Sequence, residues 1–467
     1  MTPILVVTPF FAPQSHAAVF RAYKLAKFLP RYGYRPIVVT VDTNYDYHED
    51  PGLLAALPPE VTTVRARFVE PTLRGVEYAL GLRDRRFSAR APAPATSRSV
   101  PSGKVNHVAA GQAWLRASHR LLIGGLLRIP DRHWPWLIPA LAACRKVIRE
   151  HDVRLVLTSS DPFTSYLIGL ELKREGLSWV ADLRDPATHV ATMHSPYPWV
   201  YAVQRAIEKR GVATADAVTV AAKSIGLVLG ELHGLDLSRK VHFIPTGLDA
   251  SLLDSSVALP DLPRGRRILF SGEYLAYYGE RFFRWFAAAR RDPRVGALDY
   301  HVLVVGRTDV NRANLGQSIT RFGLDGAVHF LQHQPQEVLY AMLQGSDFGL
   351  LPYGDRLWWC LAAKLVDYLA LGKPVLAMVP DPSEARSRLQ EAGLGVFLDG
   401  DDDAATRRLI DALVAGPQAL RADPQVSARY TVEHQVSTFA RLFDEILSQR
   451  APGSRVPGSE PDSASSR

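Results

Sequence analysis

Lys364 and Asp367 stand one helical turn apart in the run Lys364–Leu371, whose apolar period predicts a helix. A lysine at a helix N-terminus adds its own charge to the positive end of the dipole, a combination that suits phosphate. A carboxylate one turn on accepts hydrogen bonds from hydroxyl groups. An ordinary amphipathic helix with a solvated lysine and a capping aspartate has the same letters. A second group, Asp182, Arg184 and Asp185, ends the apolar run that begins at Ser178, and the C-terminal end of a strand is where open α/β sheets place ligands. A buried Arg–Asp pair that fixes the loop is the other reading. Gly272-Glu273 and Gly306-Arg307 follow the predicted strands Arg267–Phe270 and Tyr300–Val305. Glycine there permits a close backbone approach, and a strand-end turn followed by a surface arginine accounts for both equally well. Asp401-Asp402-Asp403 reads as a solvated turn and no His or Asp spacing suits a metal, so no metal and no cofactor are expected.

The elements that must carry these residues form a repeating pattern. Ile4–Thr8, a loop, a helical period over Val19–Leu29 and Arg35–Val41 read as a βαβ unit, and further strands are predicted at Arg154–Ser159, Ser178–Leu183, Ala217–Val220 and Val241–Ile244. After a connector over Thr246–Arg266, rich in Pro, Asp, Ser and Leu, a fresh series begins: Arg267–Phe270, Tyr300–Val305, Val328–Leu331, Phe348–Leu351 and Pro374–Met378. Strands alternating with helices predict α/β architecture, with two Rossmann-like, doubly wound parallel-sheet domains facing across a cleft. Residues 1–248 are the expected first domain, with an insert at about 85–128; 249–450 are the second, and 451–467 a disordered tail.

Composition narrows the class. At 467 residues, 47% hydrophobic and 22% charged, the chain is ordinary for a globular protein of two domains. Its two cysteines, Cys144 and Cys360, are too few for a disulfide framework and fit a reducing compartment. The most apolar stretch, Leu121–Leu127, falls far short of the roughly 20 residues that a spanning helix needs, and the first residues show no secretion signal. A cytoplasmic location follows as the expectation. The net charge of +8 is local: residues 61–150 carry sixteen Lys/Arg against five Asp/Glu, so the rest of the chain is slightly acidic. His107–Arg128 can be drawn as a helix with Arg116, Arg120 and Arg128 on one face and Trp114, Leu115, Leu121, Leu122 and Leu126 on the other. That pattern fits an anionic membrane surface, and it fits a helix packed on its own domain equally well. No nucleic-acid recognition module is visible.

The run Lys364-Leu365-Val366-Asp367-Tyr368-Leu369-Ala370-Leu371-Gly372-Lys373-Pro374 resembles the donor-site signature of the family-4, GT-B-fold retaining glycosyltransferases. Phe20–Lys27, Asp182–Pro186, Ile244–Asp249 and Gly349–Pro352 occur in that family's order as well. The resemblance implies a glycosyltransferase that takes a nucleotide-diphosphate sugar as donor, with a glycan or a lipid-linked sugar as acceptor. It implies donor contacts at Gly272, Glu273, Arg281, Gly306, Arg307, Lys364, Leu365 and Asp367, a catalytic role for Asp185, Arg184 and Lys364, and acceptor-side positions at Gln14, Ser15, His16, Arg21 and Asp182. Two departures stand out. The family places two glutamates eight positions apart, where this chain has Trp359 and Asp367, and it has glycines in the first loop, where this chain has Gln14-Ser15-His16. Asp355 or the backbone would take over the missing sugar contact, and the pair Trp358-Trp359 either stacks on the ligand or belongs to the core. A sugar-nucleotide epimerase on the same fold, and a binding protein without activity, are the competing readings.

Overall fold

A computed structural model of the chain describes residues 1–45, 49–72, 129–253 and 256–449, with a few positions between 75 and 81. The expected insert helix, the Pro- and Arg-rich segment before it and the tail lie outside these residues. The chain divides into two compact units: Met1–Ala221 with Gly226–Ile244 and the residues from Val436 on, and Ala222–Ile225 with Pro245–Gln435. The final helix, Val432–Ser448, therefore runs back into the first unit instead of closing the second. Tyr34 Oη donates to Asp444 Oδ1 at 2.5 Å, and the Arg21 guanidinium lies over the Phe439 ring.

The first unit is built on seven parallel strands: β1 Thr2–Val7, β2 Tyr34–Val41, β3 Thr62–Ala66, β4 Leu155–Ser160, β5 Ser178–Leu183, β6 Ala217–Val220 and β7 Val241–Phe243. Their order is β3-β2-β1-β4-β5-β6-β7. Central strands such as Leu155–Ser160 and Ser178–Leu183 are buried along their whole length, because helices cover both faces of a parallel sheet and leave no polar side to alternate with. Gly169 shows how tightly the cover fits: a Cβ there would come within 2.1 Å of the Trp179 ring.

One charged pair is embedded in this core. Arg21, from the helix Ala17–Phe28, donates to both oxygens of Asp182 on β5 at 2.7–3.0 Å, and to the Ile244 carbonyl at 2.7 Å. Thr219 Oγ1 donates to the same carboxylate at 2.6 Å. Both side chains are 1% exposed. A fork of two parallel hydrogen bonds with every remaining lone pair used is the geometry in which a desolvated ion pair is tolerated.

The second unit holds six parallel strands: β8 Arg266–Ser271, β9 Tyr300–Val305, β10 Val328–Leu331, β11 Phe348–Pro352, β12 Val375–Met378 and β13 Gly395–Phe397, in the order β10-β9-β8-β11-β12-β13. Its two apolar layers centre on Phe270, Phe282, Phe286 and Tyr300 on one face and on Leu365, Tyr368, Leu369 and Leu389 on the other. Strand order reverses between β1 and β4 in the first sheet and between β8 and β11 in the second, and such switch points open a crevice at the carboxyl ends of the strands. Two strands absent from the sequence expectation, β3 and β13, are the outermost of their sheets.

Removing one partner of a buried pair leaves the other charge stranded, which costs roughly 3–5 kcal/mol. Asp182→Ala should lower the stability of the first unit by about that amount in urea unfolding, and a loss under about 1 kcal/mol would contradict full desolvation of the pair.

Candidate functional site

The second sheet's switch point gathers the predicted donor residues from three directions. β8 is followed by Gly272, whose φ of +111° is a conformation that side chains disfavour. Its N–H donates to the Val305 carbonyl at 2.8 Å, so the β8–β9 ladder continues into the turn. Gly306, just beyond β9, packs directly on this turn, and a Cβ on it would lie 2.5 Å from the Gly272 carbonyl oxygen. Asn311, fully buried, fixes the turn from the other side by accepting from the Tyr274 N–H at 2.7 Å and donating to the Gly272 carbonyl at 3.1 Å.

Lys364 enters the same place from the helix Ala363–Ala370, which follows β11. Its Nζ lies 3.9 Å from the centroid of the Phe270 ring and 3.5 Å from where a Cβ of residue 272 would sit. Among the described residues it has no carboxylate within ion-pair distance and no hydrogen bond, and the helix N-terminus beside it carries no side-chain cap. Burial pulls its pKa down to about 8, against a weak upward pull from Cys360. An ammonium held over an aromatic face at the positive end of a helix, with no carboxylate beside it among the described residues, is an arrangement that suits an anion. On the same helix, Asp367 Oδ1 accepts from the Tyr340 phenol at 3.2 Å.

Not every predicted donor residue comes to this point. Glu273 and Arg307 pair with one another at 3.5 Å across the Gly272–Gly306 turn, and Arg307 also pairs with Asp309 at 3.0 Å. Arg281, by contrast, opens the helix Arg281–Ala289, lies over the Trp285 ring and reaches the Gly400 carbonyl, because an intervening short turn carries the chain away from Gly272. Leu365 is a core side chain with no exposure, and its N–H donates to the Ala362 carbonyl. Trp359 is 4% exposed, on the core side of the alternatives open in the sequence; Trp358 is half-buried and its carbonyl accepts from the Glu384 N–H. Asp355 is exposed at the start of a short turn.

At the first sheet's switch point the loops after β1, β4 and β5 converge. Arg184 Nε donates to the Ser160 carbonyl at 3.4 Å, its Nη2 lies 3.8 Å from Asp161 Oδ2, and its guanidinium stands over the Phe10 ring. Phe10 packs edge-on against His16. Burial first, then the charges of Arg184 and Arg132, pull the His16 pKa down to about 4, so its imidazole is neutral. Gln14 is inside, bridging the Pro9 carbonyl and His16, with Ser15 half-buried between them. Burial raises both Asp161 and Asp185, and Arg184 opposes the rise in each. Asp185 and Glu208 push Asp161 up further. Arg21 and Asp182, expected on the acceptor side, are the buried pair described above and touch no ligand space; their hydroxyl and guanidinium partners exhaust them. Asp161, Asn311 and Tyr340 escaped the sequence reading. For Asp161 a signal existed, since Ser160-Asp161-Pro162 directly follows a strand.

Residues 102–252 match the family model described as Glycosyltransferase Family 4. No curated protein matches the chain. Among solved structures, the chain is similar to sucrose-phosphate synthase from Thermosynechococcus elongatus, with a TM-score of 0.60 at 14% identity over 96% of this chain and 100% of that one. It is similar to a trehalose-6-phosphate synthase, at 0.57 and 15% over 97% and 100%. A putative UDP-N-acetylglucosamine 2-epimerase from Listeria monocytogenes scores 0.51 at 12% over 97% and 98%. At such identities these likenesses give the fold alone, and the fold carries transferases and an epimerase alike. The match over residues 102–252 favours the transferase side of that fold, and the two parallel-sheet units have the GT-B architecture.

The pKa of Lys364 makes a pH test available. Its ammonium is charged below about pH 8 and lost above. Inorganic pyrophosphate should therefore bind best below that pH and weaken about tenfold per unit above it, while in Lys364→Met titration calorimetry should find weaker binding without that fall. The sign for folding is opposite: an unfolded lysine keeps its proton up to its ordinary pKa of 10.5, so this group adds stability as pH rises from about 8 towards that value.

Proposed function

We propose that the chain transfers a sugar from a nucleotide-diphosphate sugar to a hydroxyl of an acceptor glycan or lipid-linked sugar, with retention of configuration. The observation that carries this reading is the part-buried ammonium of Lys364 beside the Gly272 turn, with no ion-pair partner among the described residues. In this reading the diphosphate lies on Lys364 and the N-terminal N–H groups of its helix, and Asp367 accepts from the ribose hydroxyls. As the sugar leaves, negative charge accumulates on the diphosphate, and a cation already fixed in a poorly solvated place stabilises that charge without reorganising. No protein nucleophile and no metal enter the scheme: the departing phosphate takes the acceptor's proton on the donor's own face, and the protein supplies position and charge.

Arg184, Asp161 and Asp185 are assigned to the acceptor. Burial raises both carboxyl groups around this one guanidinium, Asp161 to about 8, so Asp161 keeps its proton near neutrality and can donate to an acceptor hydroxyl while Asp185 lies beside it. The local excess of Lys and Arg over residues 61–150 supports a chain that works at an anionic membrane face from the cytoplasm, where a lipid-linked acceptor would be met. Among the described residues no helix is long and apolar enough to cross a membrane.

A panel of nucleotide sugars read by thermal shift tests the proposal, because a ligand that binds only the folded state raises the melting temperature by mass action. At least one donor should raise it, and Lys364→Ala and Asp367→Ala should each remove most of that shift while leaving the circular dichroism spectrum unchanged. Near-normal shifts in both variants would refute the assignment.

A further inference from the structure

Asp367 is one methylene shorter than the glutamate that the resembled family carries at this position, and its carboxylate is not left to find its own orientation. Tyr340 comes up from the helix Gln336–Gln344, is 1% exposed, and places its Oη 3.2 Å from Asp367 Oδ1. One turn earlier on that helix, Gln336 Nε2 donates to the same Oη at 2.6 Å. A phenol has a single proton, so with Gln336 acting as donor to its oxygen, the proton is committed to the carboxylate. Burial, and then the charge of Asp367, raise the phenol's pKa far above its ordinary value, so it remains a donor at any working pH.

We infer that Tyr340, oriented by Gln336, is the positioning residue that fixes the Asp367 carboxylate for a vicinal 2′,3′-diol, and so sets the selectivity of this site for ribonucleotides. The inference rests on the donor reading of Asp367. A flexible carboxylate must give up rotational freedom when it binds two hydroxyls, whereas one already held by a buried phenol has given it up on folding. The shorter side chain makes the anchor more consequential, since its carboxylate has one torsion fewer with which to reach the diol.

The test measures dissociation constants by calorimetry for UDP and 2′,3′-dideoxy-UDP, with the GDP and ADP pairs run alongside, on the full chain and on Tyr340→Phe, Gln336→Ala and Asp367→Asn. The unsubstituted chain should prefer the ribonucleotide about tenfold in at least one pair, equivalent to about 1.4 kcal/mol. Asp367→Asn should bring the ratio near one. Tyr340→Phe should weaken the ribonucleotide about fivefold, leave the dideoxy form unchanged and so shrink the ratio; Gln336→Ala, which keeps the phenol, should do the same by about twofold. If Tyr340→Phe keeps the original ratio, or weakens both nucleotides equally as a packing defect would, the positioning role is overturned while the ribose reading stands. If the unsubstituted chain shows no diol preference, or Asp367→Asn keeps it, the ribose reading fails and takes the inference with it. Should Tyr340→Phe not fold, the Gln336→Ala ratio decides: unchanged selectivity there overturns the inference.

Discussion

A positive charge with no carboxylate beside it among the described residues is the constraint around which the second unit's carboxyl edge is arranged. Lys364 holds its ammonium over Phe270 and against Gly272, in a setting dry enough to bring its pKa down to about 8. Folding gains little from desolvating such a cation, and in the proposed reading an anion offsets that cost when it binds. The features nearby serve the same end. Gly272 opens the backbone, Gly306 lets the two strand ends touch, Asn311 keeps the turn from collapsing, and the helix directs its positive end at the same point.

The first unit supplies the contrast. Arg21 is more deeply buried than Lys364, yet its guanidinium is met by both oxygens of Asp182 and by the Ile244 carbonyl. That cation is complete, and its task is to tie a helix, a central strand and the end of β7 into one core. Arg184 lies between these extremes, with Asp161 and Asp185 near it and neither at short hydrogen-bond distance. Three cations of one chain thus grade from structural to ligand-seeking according to how fully the protein has satisfied them, which burial or charge alone would not reveal.

The architecture was legible in the sequence because most central strands carry an apolar run of at least three residues, such as Ile4–Val7 and Val302–Val305, as double-sided burial favours. Two of the four edge strands, β3 and β13, were not. Thr62–Ala66 mixes threonine and arginine with valine, and Gly395–Phe397 is three residues long, and neither has to be apolar because each pairs on one side only. Lys364, Gly272 and Gly306 could be placed because strand ends at a switch point converge by topology. Arg281 could not, since one short turn redirects the chain between Gly272 and its helix. Asp182 and Arg21 carried the right chemistry for a ligand, and only their mutual distance, across 161 residues, showed that each is the other's ligand. Tyr340 and Asn311 matter through partners 27 and 39 residues away, and no local spacing encodes such contacts.

The most direct measurement is a crystal structure of the chain with a nucleoside diphosphate bound. Phosphate oxygens within hydrogen-bond reach of Lys364 Nζ, resting on the Gly272 turn, are the predicted result. A diphosphate bound elsewhere, with the ammonium still alone above Phe270, would contradict the account at its base.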